Sequence, residues 1–167
     1  MNTSNSFIEL MQFQQDTEAL CCIAGRLGWD QETMMPKGSA DQRATEQATI
    51  AKTIHSRNTD PRISEWISEI IPQNEIEAAS IRLIKKNYQK ACKVPTDLNA
   101  EIARTTSKAH SIWTSARENE EVAEYLPILT EIVNLKRQKA EALAETILIC
   151  IGKSVERPPP NAVYPET

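Results

Sequence analysis

The sequence predicts an all-α fold, an array of about six antiparallel helices that ends in a proline-rich C-terminal tail. Apolar residues recur at three- and four-residue steps along most of the 167-residue chain, and helix-starting residues separate these periodic stretches at short intervals. No stretch of useful length shows the alternation typical of a strand. A chain of this length forms one domain by default.

The first two helices are predicted at about residues 4–27 and 39–57. The first has apolar residues at helical spacing in its two ends, and Gly25 and Gly28 are expected to weaken it where it stops. The second begins at Ser39, which forms a predicted capping box with Gln42. Alanines then follow on one face of this second helix.

The third and fourth helices are predicted to be joined by a short linker, and each has a clear N-terminal signal in the sequence. Asp60 before Pro61 supplies an N-cap and a first-turn proline for a helix that Pro72 closes. Its apolar residues are Ile63, Trp66, Ile67 and Ile70. Asn74 with Glu77 repeats the capping pattern for a fourth helix. The face predicted for that helix comprises Ile76, Ala79, Leu83 and Ala91.

Two further helices and a tail complete the prediction. A break at residues 94–96 precedes a fifth helix, with Leu98, Ile102, Ala109, Ile112, Trp113 and Ala116 on its apolar face. Pro127 is predicted in the first turn of a sixth helix, where its missing N–H costs little. Residues 158–167 contain three consecutive prolines, so the tail from residue 146 onward is expected to be disordered.

Composition and charge exclude several classes of function. The net charge of −4 and the absence of a Lys/Arg-dense stripe argue against a nucleic-acid partner. The N-terminus has no signal-peptide pattern and the apolar runs are too short to span a membrane, so we expect a cytoplasmic protein without a membrane partner. The four cysteines lack a CxxC spacing, and we expect them to be reduced and mostly buried.

The inventory of chemical motifs predicts no catalytic, cofactor-binding or metal-binding residue. A catalytic zinc takes about three protein ligands, and the chain has only two histidines. We interpret His55 as a solvated residue at a helix end and His110 as a packed or surface residue. No nucleophile elbow or phosphate loop is present. The acidic run of Glu118, Glu120 and Glu121 is interpreted as a solvated turn.

The string GWDQETMMPKGSADQR at residues 28–43 joins the first two predicted helices. Trp29 is expected to be a buried anchor, and Met35 with its neighbour is expected to fill a gap before Pro36. Asp30 is placed to accept amides of the turn or to pair with Arg43. The string is therefore predicted to be a structural joint.

This string also carries a family resemblance. The run LGWDQETMMPKGSADQRATEQATIAKTIH resembles the N-terminal signature of the Taq-type thermostable metallocarboxypeptidases, a WDQ-x-T-x-MP-x-G-x-x-x-R pattern. The stretches SIRLIKKNYQKACKVPTDLNAEIARTTSKAHSIWTSARE and YLPILTEIVNLKRQKAEALAE resemble the segments that follow it in the family. The residues that match the joint are Trp29, Asp30, Pro36, Gly38 and Arg43.

The resemblance covers about residues 5–145 and implies a large, nearly all-helical, dimeric enzyme that removes C-terminal residues from peptides. It also implies a zinc or cobalt ion held by an HExxH motif, which this sequence lacks. We therefore expect residues 1–145 to be an N-terminal helical region and residues 146–167 to be a divergent tail.

Three hypotheses about function follow from this resemblance and this absence. The chain is a catalytically inactive part of a metallocarboxypeptidase, or a helical interaction module that associates with itself, an intact homologue or another partner. The weakest alternative is a separate enzyme that uses its own carboxylates.

Overall fold

The computed structural model describes the backbone of residues 3–150 and the side chains of residues 5–144. Over this part the fold is all-α, as predicted, with five long helices, one helix of nine residues and a single turn of 3-10 helix. The α-helices are α1 (Thr3–Thr33), α2 (Ala40–Asn58), α3 (Pro61–Glu69), α4 (Glu75–Ala91), α5 (Thr96–Glu118) and α6 (Val122–Cys150), and the 3-10 turn spans Lys37–Ser39.

Helix α1 is longer than predicted, because it continues through both glycines to Thr33. The expectation that the helix stops near residue 27 is wrong. Neither Gly25 nor Gly28 has a positive φ, so both sit in ordinary helical geometry. Each glycine lowers helix propensity by about 1 kcal/mol. The last turns persist because side chains on α2 and α5 bind them, as described below.

Two of the three predicted helix caps are confirmed. The Asp60 carboxylate accepts the backbone N–H of Arg62 at 3.0 Å, and the Asn74 side chain accepts that of Glu77 at 2.9 Å. The capping box at Ser39 is wrong, because Ser39 makes no side-chain cap bond: it ends the 3-10 turn, which already directs the chain into α2. Pro127 lies inside α6 rather than in its first turn, because this helix begins at Val122.

Neighbouring helices run antiparallel. Along α1 and α2, Arg57 donates to the Phe13 carbonyl oxygen near one end, and Arg43 donates to Asp30 near the other. Along α2 and α5, the contacts run from Lys108 with Asp41 to Thr96 with His55. Helix α1 also contacts α3, and α6 contacts α5.

The largest apolar core lies between the N-terminal half of α1, α3 and α4. It is formed by Leu10, Phe13, Ile63 and Ile70, with Phe7, Trp66, Ile67, Ile81, Ile84 and Tyr88 packed around it. The predicted apolar face of α3 is thus confirmed. The predicted face of α4 is wrong at three positions, because Ile76, Ala79 and Leu83 are exposed. The helix presents Ile81, Ile84 and Tyr88 instead, since α4 contacts the core along one face only.

Helices α2 and α5 pack closely through small side chains. The buried apolar residues on these two helices are Ala44, Ala48, Ile102, Ala109 and Ala116. The predicted alanine face of α2 is confirmed at its two central positions. On α5, Trp113 of the predicted apolar face is 44% exposed, while Thr105 and Ser107 are buried. Small residues allow the two helix backbones to approach, and a large ring does not fit between them.

Three cysteines lie in the part of the chain with described side chains, and all three are free thiols, as predicted. Their expected burial is wrong: Cys22 and Cys92 are exposed and Cys21 is only partly buried. Burial and the charge of Glu18 raise the pKa of the Cys21 thiol above its usual value.

The last described helix extends beyond the boundary predicted for it. Helix α6 continues past the predicted boundary at residue 145 to Cys150, and the tail predicted beyond it, residues 151–167, lies outside the described residues. Within the described helices, none combines the length and apolar character that crossing a membrane requires.

Candidate functional site

The string at residues 28–43 forms the joint between α1 and α2. Its first part is the last turn and a half of α1, its middle is a turn closed by backbone bonds from Met34 and Met35 to the Asp30 carbonyl oxygen, and its end begins α2. The joint therefore reverses the chain direction within a few residues. This confirms the prediction that the string lies where the first two helices meet.

Arg43 is the centre of this joint. Its side chain is buried, and each of its three nitrogens donates a hydrogen bond. One bond goes to the Leu27 carbonyl oxygen near the end of α1, one to the Asp30 carboxylate at 2.5 Å and one to Glu46 at 2.9 Å. The predicted pairing of Asp30 with Arg43 is present in the structure.

Electrostatics keep this guanidinium charged. The hydrogen bond from Arg43 to Asp30 raises the pKa of the guanidinium above its ordinary value, although burial acts in the opposite direction. Because each of the three nitrogens donates to an acceptor inside the protein, the side chain ties the end of α1 to α2.

A second polar contact ties the end of α1 to α5. The Gln31 amide donates to the Ser107 carbonyl oxygen at 2.8 Å, and the Ser107 hydroxyl donates back to Gln31 Oε1 at 2.9 Å. Sequence reasoning missed this pair, because its members are 76 positions apart and each is an ordinary helix residue. The only signal for Gln31 was its place in the WDQ pattern.

The other residues of the joint contribute less. Trp29 is 65% exposed, so the expectation that it is a buried anchor is wrong. Pro36 precedes the 3-10 turn, and Gly38 lies within it. A Cβ added at Gly38 would meet nothing within 4 Å, so neither space nor backbone geometry requires glycine there.

The two histidines lie far apart. His55 is only 6% exposed, so its interpretation as a solvated residue is wrong: the start of α5 covers it, and its Nδ1 lies 3.1 Å from Thr96 Oγ1. His110 is partly buried beside Trp113 and lines a cleft of about 400 Å³. Along α5, Thr96 and His110 are separated by about 21 Å.

The cleft beside His110 lies among α1, α2, α5 and α6. Its charged and polar side chains include Gln31, Glu32, Gln47, His110 and Lys136. It thus brings one carboxylate and one imidazole near the joint. Across residues 5–144, no group of three His, Cys, Asp or Glu side chains is arranged to hold a metal ion. The cleft therefore lacks the ligand set of a catalytic metal.

The acidic turn between α5 and α6 is solvated, as predicted. Glu118, Glu120 and Glu121 are all exposed, and Glu118 pairs with Lys37 at 3.6 Å. Glu120 has a φ of 57°, in the left-handed region that closes helix ends. This geometry describes a helix-terminating turn, and Glu120 also lines a cavity with Trp113, Arg117 and Tyr125.

Comparison with known proteins agrees with the resemblance of the sequence. The model of the family described as "Carboxypeptidase Taq (M32) metallopeptidase" matches residues 9–148. The chain is similar to "Thermostable carboxypeptidase 1" of Thermus thermophilus, 33% identical over 149 residues, which are 86% of this chain and 29% of the relative. It is also similar to "Thermostable carboxypeptidase 1" of Pyrococcus furiosus, 27% identical over 70% of this chain and 24% of the relative.

A solved structure has the same fold. The structure described as "Structure of Pyrococcus furiosus Carboxypeptidase Apo-Mg" superposes with a TM-score of 0.63 at 22% identity, covering 93% of this chain and 30% of that chain. The chain thus spans less than a third of the length of these relatives.

Proposed function

Because the chain belongs to the Carboxypeptidase Taq (M32) metallopeptidase family, we propose that it is the N-terminal helical part of a zinc- or cobalt-dependent carboxypeptidase and has no peptidase activity by itself. In this proposal residues 1–145 form one helical unit. Peptide substrates and a cytoplasmic location belong to the whole enzyme.

The proposal rests on a mismatch between the metal site that a metallopeptidase requires and the metal-binding residues that this chain contains. A metallopeptidase polarises the substrate carbonyl and generates a metal-bound hydroxide, which requires an ion held by about three protein ligands with one position open. The sequence contains no HExxH motif, and its two histidines lie apart, His55 on α2 beside the start of α5 and His110 further along α5. The residues present in this chain therefore do not fit the metal.

In this proposal the joint of Trp29, Asp30, Pro36, Gly38 and Arg43 has a structural role. The three bonds of Arg43 and the reciprocal pair of Gln31 and Ser107 support it, because they fix α1 against both α2 and α5. The joint sets the geometry of the helical part and takes no part in bond cleavage.

The test is a peptidase assay on the purified chain with a blocked dipeptide and added cobalt or zinc, beside a full-length relative as the positive control. We expect no release of the C-terminal amino acid and no bound metal after gel filtration. Release that is lost on chelation and persists through a second purification step would overturn the proposal. Elemental analysis gives a readout that does not depend on activity.

The second candidate function is a helical interaction module. The observation that favours it is a set of large apolar side chains that are exposed on α6, where a soluble enzyme would normally place polar residues. Binding to an intact Taq-type carboxypeptidase, measured by calorimetry, would support this function in its homologue-binding form. Failure of this binding would leave the first proposal unaffected.

A further inference from the structure

A cavity of about 530 Å³ lies where α5 ends and α6 begins. Two aromatic rings, one guanidinium, one carboxylate and two smaller apolar side chains line it, from Trp113, Ala116, Arg117, Glu120, Val122 and Tyr125. Trp113 is 44% exposed, although Ala109 and Ala116 of the same helix are buried. The cavity has the volume and the mixed apolar and polar lining that are typical of small-molecule sites.

The backbone of the turn between α5 and α6 fixes the shape of this cavity. The Glu121 N–H donates to the Ala116 carbonyl oxygen at 2.8 Å and the Glu120 N–H donates to that of Arg117 at 3.4 Å, the two bonds of a Schellman motif. Glu120 occupies the left-handed position of this motif, with a φ of 57°, where glycine is the usual residue. Strained residues of this kind are concentrated at functional sites.

The two charged side chains of the cavity have no charged partner. In the part of the chain with described side chains, Arg117 and Glu120 form no ion pair, whereas the neighbouring Glu118 pairs with Lys37 at 3.6 Å. The Arg117 guanidinium carbon lies 5.9 Å from the centroid of the Trp113 ring, which holds the positive charge beside an aromatic face. The cavity therefore presents one positive group and one negative group, and both are exposed.

These charges select a zwitterionic ligand. An anion in this cavity would lie beside the Glu120 carboxylate and a cation would lie beside the Arg117 guanidinium, so a ligand with a single charge meets repulsion. A free α-amino acid avoids it, because its carboxylate accepts hydrogen bonds from Arg117 and its ammonium group donates to Glu120. The rings of Trp113 and Tyr125 offer aromatic faces to the side chain of the ligand, which favours an aromatic amino acid.

We propose that the cavity between α5 and α6 binds a free aromatic α-amino acid, with its carboxylate at Arg117, its ammonium group at Glu120 and its ring against Trp113 and Tyr125. A peptide does not make these contacts, because its C-terminal residue has a carboxylate but no ammonium group. The residues of the site all belong to this chain, and binding uses no metal ion. The proposal is therefore separate from the carboxypeptidase proposal, since a binding measurement and a peptidase assay can fail independently.

The first experiment measures the binding of phenylalanine to the unmodified chain by isothermal titration calorimetry, and we expect one molecule bound per chain. Phenylpropionate lacks the ammonium group, phenethylamine lacks the carboxylate, and N-acetylphenylalanine imitates the end of a peptide. Each is expected to bind about tenfold more weakly than phenylalanine, because the contact of one charged group is lost. Equal affinity for any of the three would overturn the proposal, because the two charges would then not select the ligand.

The second experiment tests the two charged residues. Arg117→Gln removes the positive charge, and Glu120→Asn removes the negative charge with a residue that tolerates the left-handed conformation. Each variant is expected to weaken phenylalanine binding about tenfold with unchanged circular dichroism. The matched controls are Arg137→Gln and Glu118→Gln, which bind as the unmodified chain does, because both residues are exposed and neither lines the cavity. No binding at millimolar phenylalanine, or full binding by folded Arg117→Gln or Glu120→Asn, would also overturn the proposal.

Discussion

The two halves of helix α1 are held to the rest of the molecule by different physical means. The N-terminal half contributes Leu10 and Phe13 to an apolar core with Ile63 and Ile70. The C-terminal half has no comparable core, and its hydrogen bonds to other helices include those from Arg43, the bond from Gln47 to the Ala24 carbonyl oxygen and the Gln31 to Ser107 pair. The N-terminal half also accepts hydrogen bonds from Arg57, at Phe13 and Thr17, but it alone of the two halves contributes to the apolar core. We call it the apolar end of α1 and the C-terminal half the polar end.

The difference matters because apolar burial mainly stabilises the fold, whereas buried hydrogen bonds mainly define its geometry. Burial of apolar area stabilises the fold roughly in proportion to that area and tolerates small changes of angle. A buried guanidinium with three acceptors adds less net free energy, since its desolvation offsets much of the gain, but it accepts only one geometry. The apolar end supplies stability, and the polar end defines the angle at which α2 and α5 meet α1.

The largest expected effect is at the apolar end. Ile63 is 1% exposed, so Ile63→Ala should lower the free energy of unfolding by about 3 kcal/mol, from lost burial and from the cavity left behind. Urea denaturation followed by circular dichroism measures this. The matched control is Ile76→Ala, which removes the same atoms at a position that is 80% exposed and should cost less than about 0.5 kcal/mol.

The next effect is at the polar end. Arg43→Met keeps the apolar stem but leaves the Leu27 carbonyl oxygen and the Asp30 carboxylate without their donor, and we expect a loss of about 2 kcal/mol. Arg104→Met is the control, because the Arg104 side chain is 39% exposed and pairs with Glu101 at the surface. If Arg43→Met cost more than Ile63→Ala, the division into a stabilising and an orienting end would be wrong.

The difference between apolar burial and hydrogen bonding also explains how much of each end of α1 could be predicted from the sequence. Apolar side chains repeat at helical spacing, so the sequence predicts the buried apolar face of α3. The pairing of Asp30 with Arg43 was predictable because both lie in one short string. No pattern marked Gln31 and Ser107, because a hydrogen bond between distant helices depends on their relative placement alone.

The errors have a related cause. Trp29 and His55 were assigned from residue type and position in the chain, whereas their exposure depends on which side of the helix receives a neighbour. The start of α5 covers His55 through Thr96, and no described element covers Trp29. A single sequence contains the period of a helix but not the direction from which its neighbours approach.

A smaller change in the free energy of unfolding is expected at the residues that precede α3 and α2. Asp60→Ala removes the cap of α3 and should cost about 1 kcal/mol, whereas Ser39→Ala at the start of α2 should be close to neutral because Ser39 makes no cap bond. The difference between the two variants is measured by urea denaturation at neutral pH.

Asp60 also makes the stability of the fold depend on pH in a defined direction. The hydrogen bond from Arg62 lowers the pKa of Asp60 below its ordinary value. A carboxyl group with a lowered pKa in the folded state stabilises the protein above its unfolded pKa, about 3.9, and this contribution disappears as the pH falls through the folded pKa. The stability difference between the unmodified chain and Asp60→Ala should therefore narrow below about pH 4. A difference that stays constant down to pH 2 would show that the Asp60 charge contributes nothing.

The smallest expected effect is at Trp29, and it tests the comparison most directly because tryptophan is the largest side chain available to either end. Trp29 is 65% exposed at the polar end, so Trp29→Ala should change the free energy of unfolding by less than about 0.5 kcal/mol. Trp66 at the apolar end packs on Phe13, with ring centroids 5.5 Å apart, and donates to Glu9 at 3.0 Å, so Trp66→Ala should cost about 3 kcal/mol. Circular dichroism reports both unfolding transitions without relying on the fluorescence of the residue removed. A cost above about 2 kcal/mol for Trp29→Ala would mean that the polar end also depends on apolar burial, and Arg43 would no longer suffice to explain how α1 is joined to α2.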